Sequence, residues 1–269
     1  MPEMPGVPVV TRLNPIVHLL GWFHVSTAGD PVDLPASAQR LVAFLALQGR
    51  PVERSYASSR LWLDKTENRA HANLRSAVWR LRRCGADLVS ISQTHLALGP
   101  AVEVDTEQLT ARARALSDES RDMDVDGIDS RELTAELLPQ WYDDFVEVER
   151  ERFRQMQLHA LEALSRRLVR MGLYARALDA ALAAVAADPL RESAHRMVID
   201  VHLAEGNAGE AVRQFRSLAR VLHCQLGIGP SQPTVDLVAG LKARQAAVWV
   251  ERAGRVPAPD TIEFQSVLA

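Results

Sequence analysis

At 269 residues the chain has room for two ordinary domains, each with its own core. Its 47 % apolar and 24 % charged content excludes a disordered chain; no apolar stretch reaches the length of a membrane span, and M-P-E-M-P-G-V-P-V-V-T-R at the N-terminus lacks the apolar core of a secretory signal. The net charge of −3 hides an uneven distribution. Residues 12–100 hold 11 Lys/Arg against 6 Asp/Glu, whereas residues 101–138 hold 4 against 11. A basic first third is where a polyanion would be held. Cys84 and Cys224 are isolated, without metal-ligand spacing, and read as reduced thiols of a cytoplasmic protein.

Residues 1–12 read as a flexible tail. Ile16 to Val25 is short, apolar and β-prone. A turn signal follows at Ala28-Gly29-Asp30-Pro31, then a second short strand, Val32-Asp33-Leu34. These predict a small leading antiparallel sheet. From Ser37 to Leu47 the spacing of Ala38, Leu41, Val42, Leu45 and Ala46 predicts a helix stopped at Gly49. Pro51 to Arg54 opens a second helix running toward Leu61-Trp62.

The stretch Lys65–Arg83, K-T-E-N-R-A-H-A-N-L-R-S-A-V-W-R-L-R-R, organises the first domain. At 100° per residue, Ala70, Leu74, Ala77, Val78 and Leu81 share a stripe that packs on a core. Arg69, Asn73, Ser76, Arg80 and Arg83 gather on another face, and Arg75, Trp79 and Arg82 line the remaining flank. Guanidinium forks match guanine and an amide matches adenine in a major groove; the plainer alternative is a solvated cationic surface. Three placements fit Trp79: over the next hairpin, along a sugar-phosphate backbone, or against the second domain. Leu88–Ser92 and His95–Leu98 then form a hairpin about Gln93-Thr94. Strands, two helices, a basic helix and a hairpin make the order of a winged helix-turn-helix with an extra leading sheet, in which the third helix reads DNA and the hairpin tip touches backbone or minor groove.

Residues 103–116 should form a helix that begins the second domain. Residues 117–130 are acidic and lack apolar periodicity, as a solvated loop would; a contact surface for a basic partner is the alternative. A long helical pattern runs from Trp141 to about Met171, after which the sequence repeats. Gly172 and Gly206, Ala177 and Ala211, and Leu178 and Val212 are each 34 residues apart, the tetratricopeptide period, and helix pairs of that kind must stack to bury their apolar faces. The second pair closes near Gly227-Ile228-Gly229-Pro230, a last helix is expected over 234–247, and 252–269 reads as a tail. The expected class is therefore mainly α with small antiparallel β: a winged-helix domain over 13–102 and an all-α, tetratricopeptide-like bundle over 103–247.

L-L-G-W-F-H-V, L-P-A-S-A-Q-R-L-V-A-F-L-A-L and R-A-H-A-N-L-R-S-A-V-W-R-L-R-R together resemble the OmpR-type winged helix of the Streptomyces antibiotic regulatory protein family. L-L-P-Q-W-Y-D-D-F-V-E-V-E-R-E-R-F at 137–153 and A-A-D-P-L-R-E-S-A-H-R at 186–196 are similar to the bacterial transcriptional activator domain that follows it. The likeness spans roughly 13–243 in the family's order, with two departures: a Ser-rich second helix, R-S-Y-A-S-S-R-L-W, and a wing turn without glycine. The resemblance implies a nucleoid-associated activator that binds promoter direct repeats as a pair, recruits RNA polymerase and its sigma factor, and controls a secondary-metabolite gene cluster.

On this reading Arg69, Asn73, Ser76 and Arg80 face base edges. Lys65, Arg75, Arg82 and Arg83 hold phosphates, and Gln93, Thr94 and His95 sit at the wing tip. Nothing indicates an enzyme: no phosphate-binding glycine loop, nucleophile elbow, zinc-protease motif or paired cysteines occur. No catalytic group, cofactor or metal is expected. His195 and His202 read as core or surface residues, and Asp143, Asp144 and Glu147 as the charged start of a helix. Trp22 and Trp62 are expected in packing, and Trp141 as the pin of the long helix. The rival readings are a tetratricopeptide adaptor whose winged helix binds protein, and a ligand-gated sensor or repressor.

Overall fold

The computed structural model describes residues 14–84, 87–118, 120 and 123–240. It divides into two compact units, one ending at Ala163 and the next beginning at Leu164. The tails, Trp249 and the end of the expected last helix lie outside the described residues.

The first unit opens with a four-stranded sheet in the order β3-β2-β1-β7, built from β1 (Ile16–His18), β2 (His24–Thr27), β3 (Asp30–Pro31) and β7 (Glu103–Val104). The single apolar run expected over 16–25 is in fact two strands. Gly21, at φ +78°, turns the chain between them, and β1 pairs antiparallel with β2 through Val17 and Val25. The expected strand at 32–34 is likewise displaced: the pairing falls on Asp30–Pro31, as the Ala28-Gly29 turn brings Thr27 opposite Asp30. β7 joins β1 in parallel, so the leading sheet is not wholly antiparallel. Trp22, expected in packing, is 71 % exposed because it rides this turn rather than a strand face.

Three helices follow: α1 (Ala36–Gln48), α2 (Arg54–Leu61) and α3 (Glu67–Arg83). Then comes a hairpin of β5 (Val89–Ile91) and β6 (His95–Leu98). Val52–Glu53, expected as a helix start, forms β4 and pairs with β6. A residue pair that reads locally as helix entry is captured by a partner more than forty residues away. The segment expected as helix from 103 begins as strand β7 and becomes α4 at Asp105, running to Ser117. Asp105 fastens the start of α4 to the end of β1: its carboxylate accepts the backbone N–H groups of Leu19 (3.0 Å) and Leu20 (3.1 Å). In the acidic segment Val125 and Ile128 turn inward and are buried, so this stretch is not wholly a solvated loop.

The long helix α5 spans Asp144–Arg170. Asp143 precedes it, with its carbonyl accepting from the N–H groups of Val146 and Glu147 and its carboxylate engaged by Arg40. Before it, Leu138 is held at φ +44°, an uncommon conformation for a residue with a branched side chain. The Arg150 guanidinium braces that corner by donating to the carbonyls of Leu137 (2.9 Å), Leu138 (2.5 Å) and Trp141 (2.8 Å).

In the second unit α6 (Tyr174–Ala187), α7 (Glu192–Glu205) and α8 (Ala208–Leu226) continue from the end of α5, and a further helix runs over 232–240. Gly172 and Gly206 take φ of +74° and +88° at equivalent helix ends. Glycine enters that left-handed region without a Cβ penalty, so the 34-residue spacing read from the sequence marks equivalent stops. Ala181, Met197 and Val198 form one core cluster, and Ile199, Ala211 and Val238 the next along the stack. His195 is buried: Nε2 lies 3.0 Å from the Pro189 carbonyl and Nδ1 2.8 Å from the Gln214 amide. Burial pushes its pKa down, against the opposing pull of the Pro189 bond and of Glu192.

Candidate nucleic-acid interface

Helix α3 is positioned by its apolar stripe. Ala70, Leu74, Ala77, Val78 and Leu81 are all buried, and it packs against both α1 and α2. Full burial of side chains the size of Leu74, Val78 and Leu81 contributes about 1.5–3 kcal/mol each. Thr66 stands at the helix start, its backbone carbonyl accepting the N–H groups of Arg69 and Ala70; Glu67 lies in the first turn, and Arg80, Arg82 and Arg83 lie in the last. That placement suits the helix dipole at both ends.

The Ser-rich second helix has a local explanation. Ser58 is buried beside Ala57 and Leu61; its hydroxyl donates to the Ser55 carbonyl at 2.8 Å and lies 3.3 Å from His71 Nδ1 of α3. The polar residue is thus satisfied at the α2–α3 contact, where an aliphatic side chain would only pack.

Opposite the stripe, Arg69, Ser76, Arg80 and Arg83 are exposed and Asn73 is half-buried; Arg75, Trp79 and Arg82 are exposed on the flank. Among the described residues none of these five guanidiniums lies in an ion pair with a carboxylate. Arg80 Nη1 donates to Ser37 Oγ at 3.0 Å, which leads it toward the start of α1. Arg83 lies over the Trp79 ring, 4.7 Å from its centroid. Trp79, 56 % exposed, therefore serves as a shelf for a cation one helical turn on, an attraction worth about 0.5–1 kcal/mol at an exposed site. Ser76 Oγ donates back to the Ala72 carbonyl at 3.0 Å. Lys65 differs from the arginines: its ammonium donates to Asp64 at 2.6 Å, and that bond holds the Asp64 carboxyl below the usual carboxylate range.

The hairpin tip manages without glycine. Ser92 Oγ accepts the His95 N–H at 2.9 Å and donates to the His95 carbonyl at 3.2 Å, while the Ser92 N–H reaches the same carbonyl at 3.0 Å. Gln93, Thr94 and His95 are exposed. The Thr94 carbonyl accepts the Arg54 N–H at 2.9 Å, so the tip is tied to the first residue of α2. Thr94 Oγ1 and His95 Nδ1 are 2.9 Å apart. Ser37, Ser92 and Arg54 are the supporting residues that sequence reasoning missed. None has a local signal, because each acts through a partner on another element.

Among the described residues no three His, Cys, Asp or Glu side chains could together hold a metal ion, and no helix is long and apolar enough to cross a membrane. Both cysteines are unbridged.

Residues 132–242 match the model of the bacterial transcriptional activator domain. No curated protein sequence matches the chain significantly. Among solved structures, Mycobacterium tuberculosis EmbR in complex with a low-affinity phosphopeptide is similar in fold, with a TM-score of 0.69 at 19 % identity. That match covers 90 % of this chain and 69 % of the other.

Proposed function

We propose that this chain, which carries a bacterial transcriptional activator domain match over residues 132–242, is a transcriptional activator of the Streptomyces antibiotic regulatory protein type, that its winged helix binds double-stranded promoter DNA and that the helical part engages the transcription machinery. The observation that carries this reading is the set of five arginines on α3 without a carboxylate partner among the described residues. A helix so loaded gains from meeting phosphates, because each neutralised phosphate releases counterions. In this reading residues 13–102 are the DNA-contacting part and 103–247 the activator part. Arg69, Asn73, Ser76 and Arg80 face base edges in the major groove. Arg75, Arg82, Arg83 and Lys65 hold the backbone, and Gln93, Thr94 and His95 approach it from the wing.

One winged helix has a small footprint, so useful specificity calls for two protomers on direct repeats. RNA polymerase with its sigma factor is the expected recipient of the activator part, and a secondary-metabolite gene cluster the expected target. Footprinting on the DNA upstream of neighbouring genes tests the proposal. Protection over paired repeats is expected, with loss of discrimination at one position in Arg69→Ala. Protection unchanged in Arg69→Ala and Arg80→Ala together would remove the assigned reading face.

A further inference from the structure

Within the first unit, the end of α1, one face of α4 and the first half of α5 line a half-open pocket of about 530 Å³. That volume suits a small organic ligand. Ala46, Leu137 and Phe153 are buried and, with half-buried Met156, give it an apolar floor.

Its polar wall belongs to α4. Thr106, Thr110 and Arg114 recur every fourth residue, so two hydroxyls and a guanidinium line up along one face. The lining charges are not equivalent. Arg152 is paired with Glu149 at 3.7 Å, whereas Arg114 is in no ion pair among the described residues. Glu107, the other carboxylate of the lining, stands seven residues before Arg114 on α4, about 10 Å away along the helix axis. The cavity thus has an apolar floor, a cationic end and an anionic end.

We infer that this cavity binds a small amphiphilic carboxylic acid. The carboxylate pairs with Arg114 and accepts from Thr110, and the apolar body lies over Phe153 and Met156. The anionic end at Glu107 limits the ligand to one carboxylate and leaves its far end neutral. Because α1 also packs against α3, the occupied cavity lies one helix away from the basic helix, and the ligand would bridge α1, α4 and α5. The inference does not depend on whether α3 meets DNA.

The test uses the full chain with ¹³C-methyl-labelled methionine, titrated with decanoate and separately with 4-phenylbutyrate below any micellar concentration. Met156→Leu assigns the signal, and Met171 and Met197 serve as internal controls. A saturable shift confined to Met156 is expected for at least one acid. Decanol should bind at least fivefold more weakly than decanoate if the aliphatic acid is the one that fits. For whichever acid binds, Arg114→Gln should raise Kd at least fivefold while the far-ultraviolet spectrum is unchanged, and Thr110→Val should weaken binding in the same direction. Absence of a saturable Met156 shift with either acid would overturn the inference, as would an Arg114→Gln Kd within fivefold of the unsubstituted chain.

Discussion

Replacing Asp105 by alanine removes an acceptor that two backbone amides share. Leu19 is fully buried, and its N–H reaches both carboxylate oxygens at 3.0 Å; the N–H of half-buried Leu20 reaches one at 3.1 Å. A buried donor left unsatisfied costs about 1–3 kcal/mol, and a hydrogen bond to a charged acceptor contributes about 1.5–3 kcal/mol. Since water can reach Leu20 but not Leu19, the expected loss is about 2–4 kcal/mol. Opening of the leading sheet should therefore become roughly 30- to 1,000-fold more frequent, at about 1.4 kcal/mol per tenfold. Hydrogen exchange of the Val17, Leu19 and Leu20 amides reads this directly. Asp105→Asn keeps one acceptor oxygen and should recover about half of the loss. Glu107→Ala serves as control: it removes another acid from the same first turn without touching the clamp, and should cost no more than about 1 kcal/mol. If Leu19 exchange in Asp105→Ala rises no more than in Glu107→Ala, the clamp reasoning is wrong.

Leu74→Ala, at a buried site on the apolar stripe of α3, should cost about 2–5 kcal/mol, whereas exposed Arg75→Ala should change stability by less than about 0.5 kcal/mol; urea unfolding followed by circular dichroism separates the two. Arg150→Lys replaces a fork that serves three carbonyls with a single ammonium and should destabilise the corner at Leu138 by about 1–3 kcal/mol, seen as faster exchange of the Leu138 amide. His195 is held neutral, its pKa lowered by burial. The unfolded chain therefore binds that proton more readily. This contribution is complete above the unfolded pKa of about 6.5 and is lost as pH falls through the folded value. Urea midpoints of the second unit should drop between pH 7.5 and 5, and His195→Gln should flatten that part of the profile.

The features legible in the sequence are those set by short-range periodicity. All five residues of the α3 stripe are buried, the hairpin turns about Gln93-Thr94, and the 34-residue repeat lands on two left-handed glycines. The leading sheet is not legible in the sequence because its pairing is decided elsewhere: β7 arrives from residue 103 to lie beside Ile16, and β6 draws Val52 and Glu53 out of a helix. No local pattern reports such partners. A large aromatic in an apolar run reads as core, whereas Gly21 lifts Trp22 onto an exposed turn. On the basic helix, the wheel separated the exposed cations from the core. It carried no sign that Arg83 rests on Trp79, that Arg80 reaches Ser37 or that Lys65 is taken up by Asp64.

Whether the arginines of α3 meet DNA phosphates and bases is decided by the salt dependence of duplex binding. Fluorescence anisotropy with a duplex carrying the footprinted repeats, across 50–300 mM salt, should show the logarithm of affinity falling linearly with the logarithm of salt, at about 0.9 per phosphate neutralised. Arg82→Ala should reduce that slope by about 1 and weaken all sequences alike. Arg69→Ala should relax preference at one base pair at a cost of about 1–3 kcal/mol. Affinity that is indifferent to salt, or a slope that Arg82→Ala and Arg75→Ala leave unaltered, would mean that these arginines do not hold DNA phosphates.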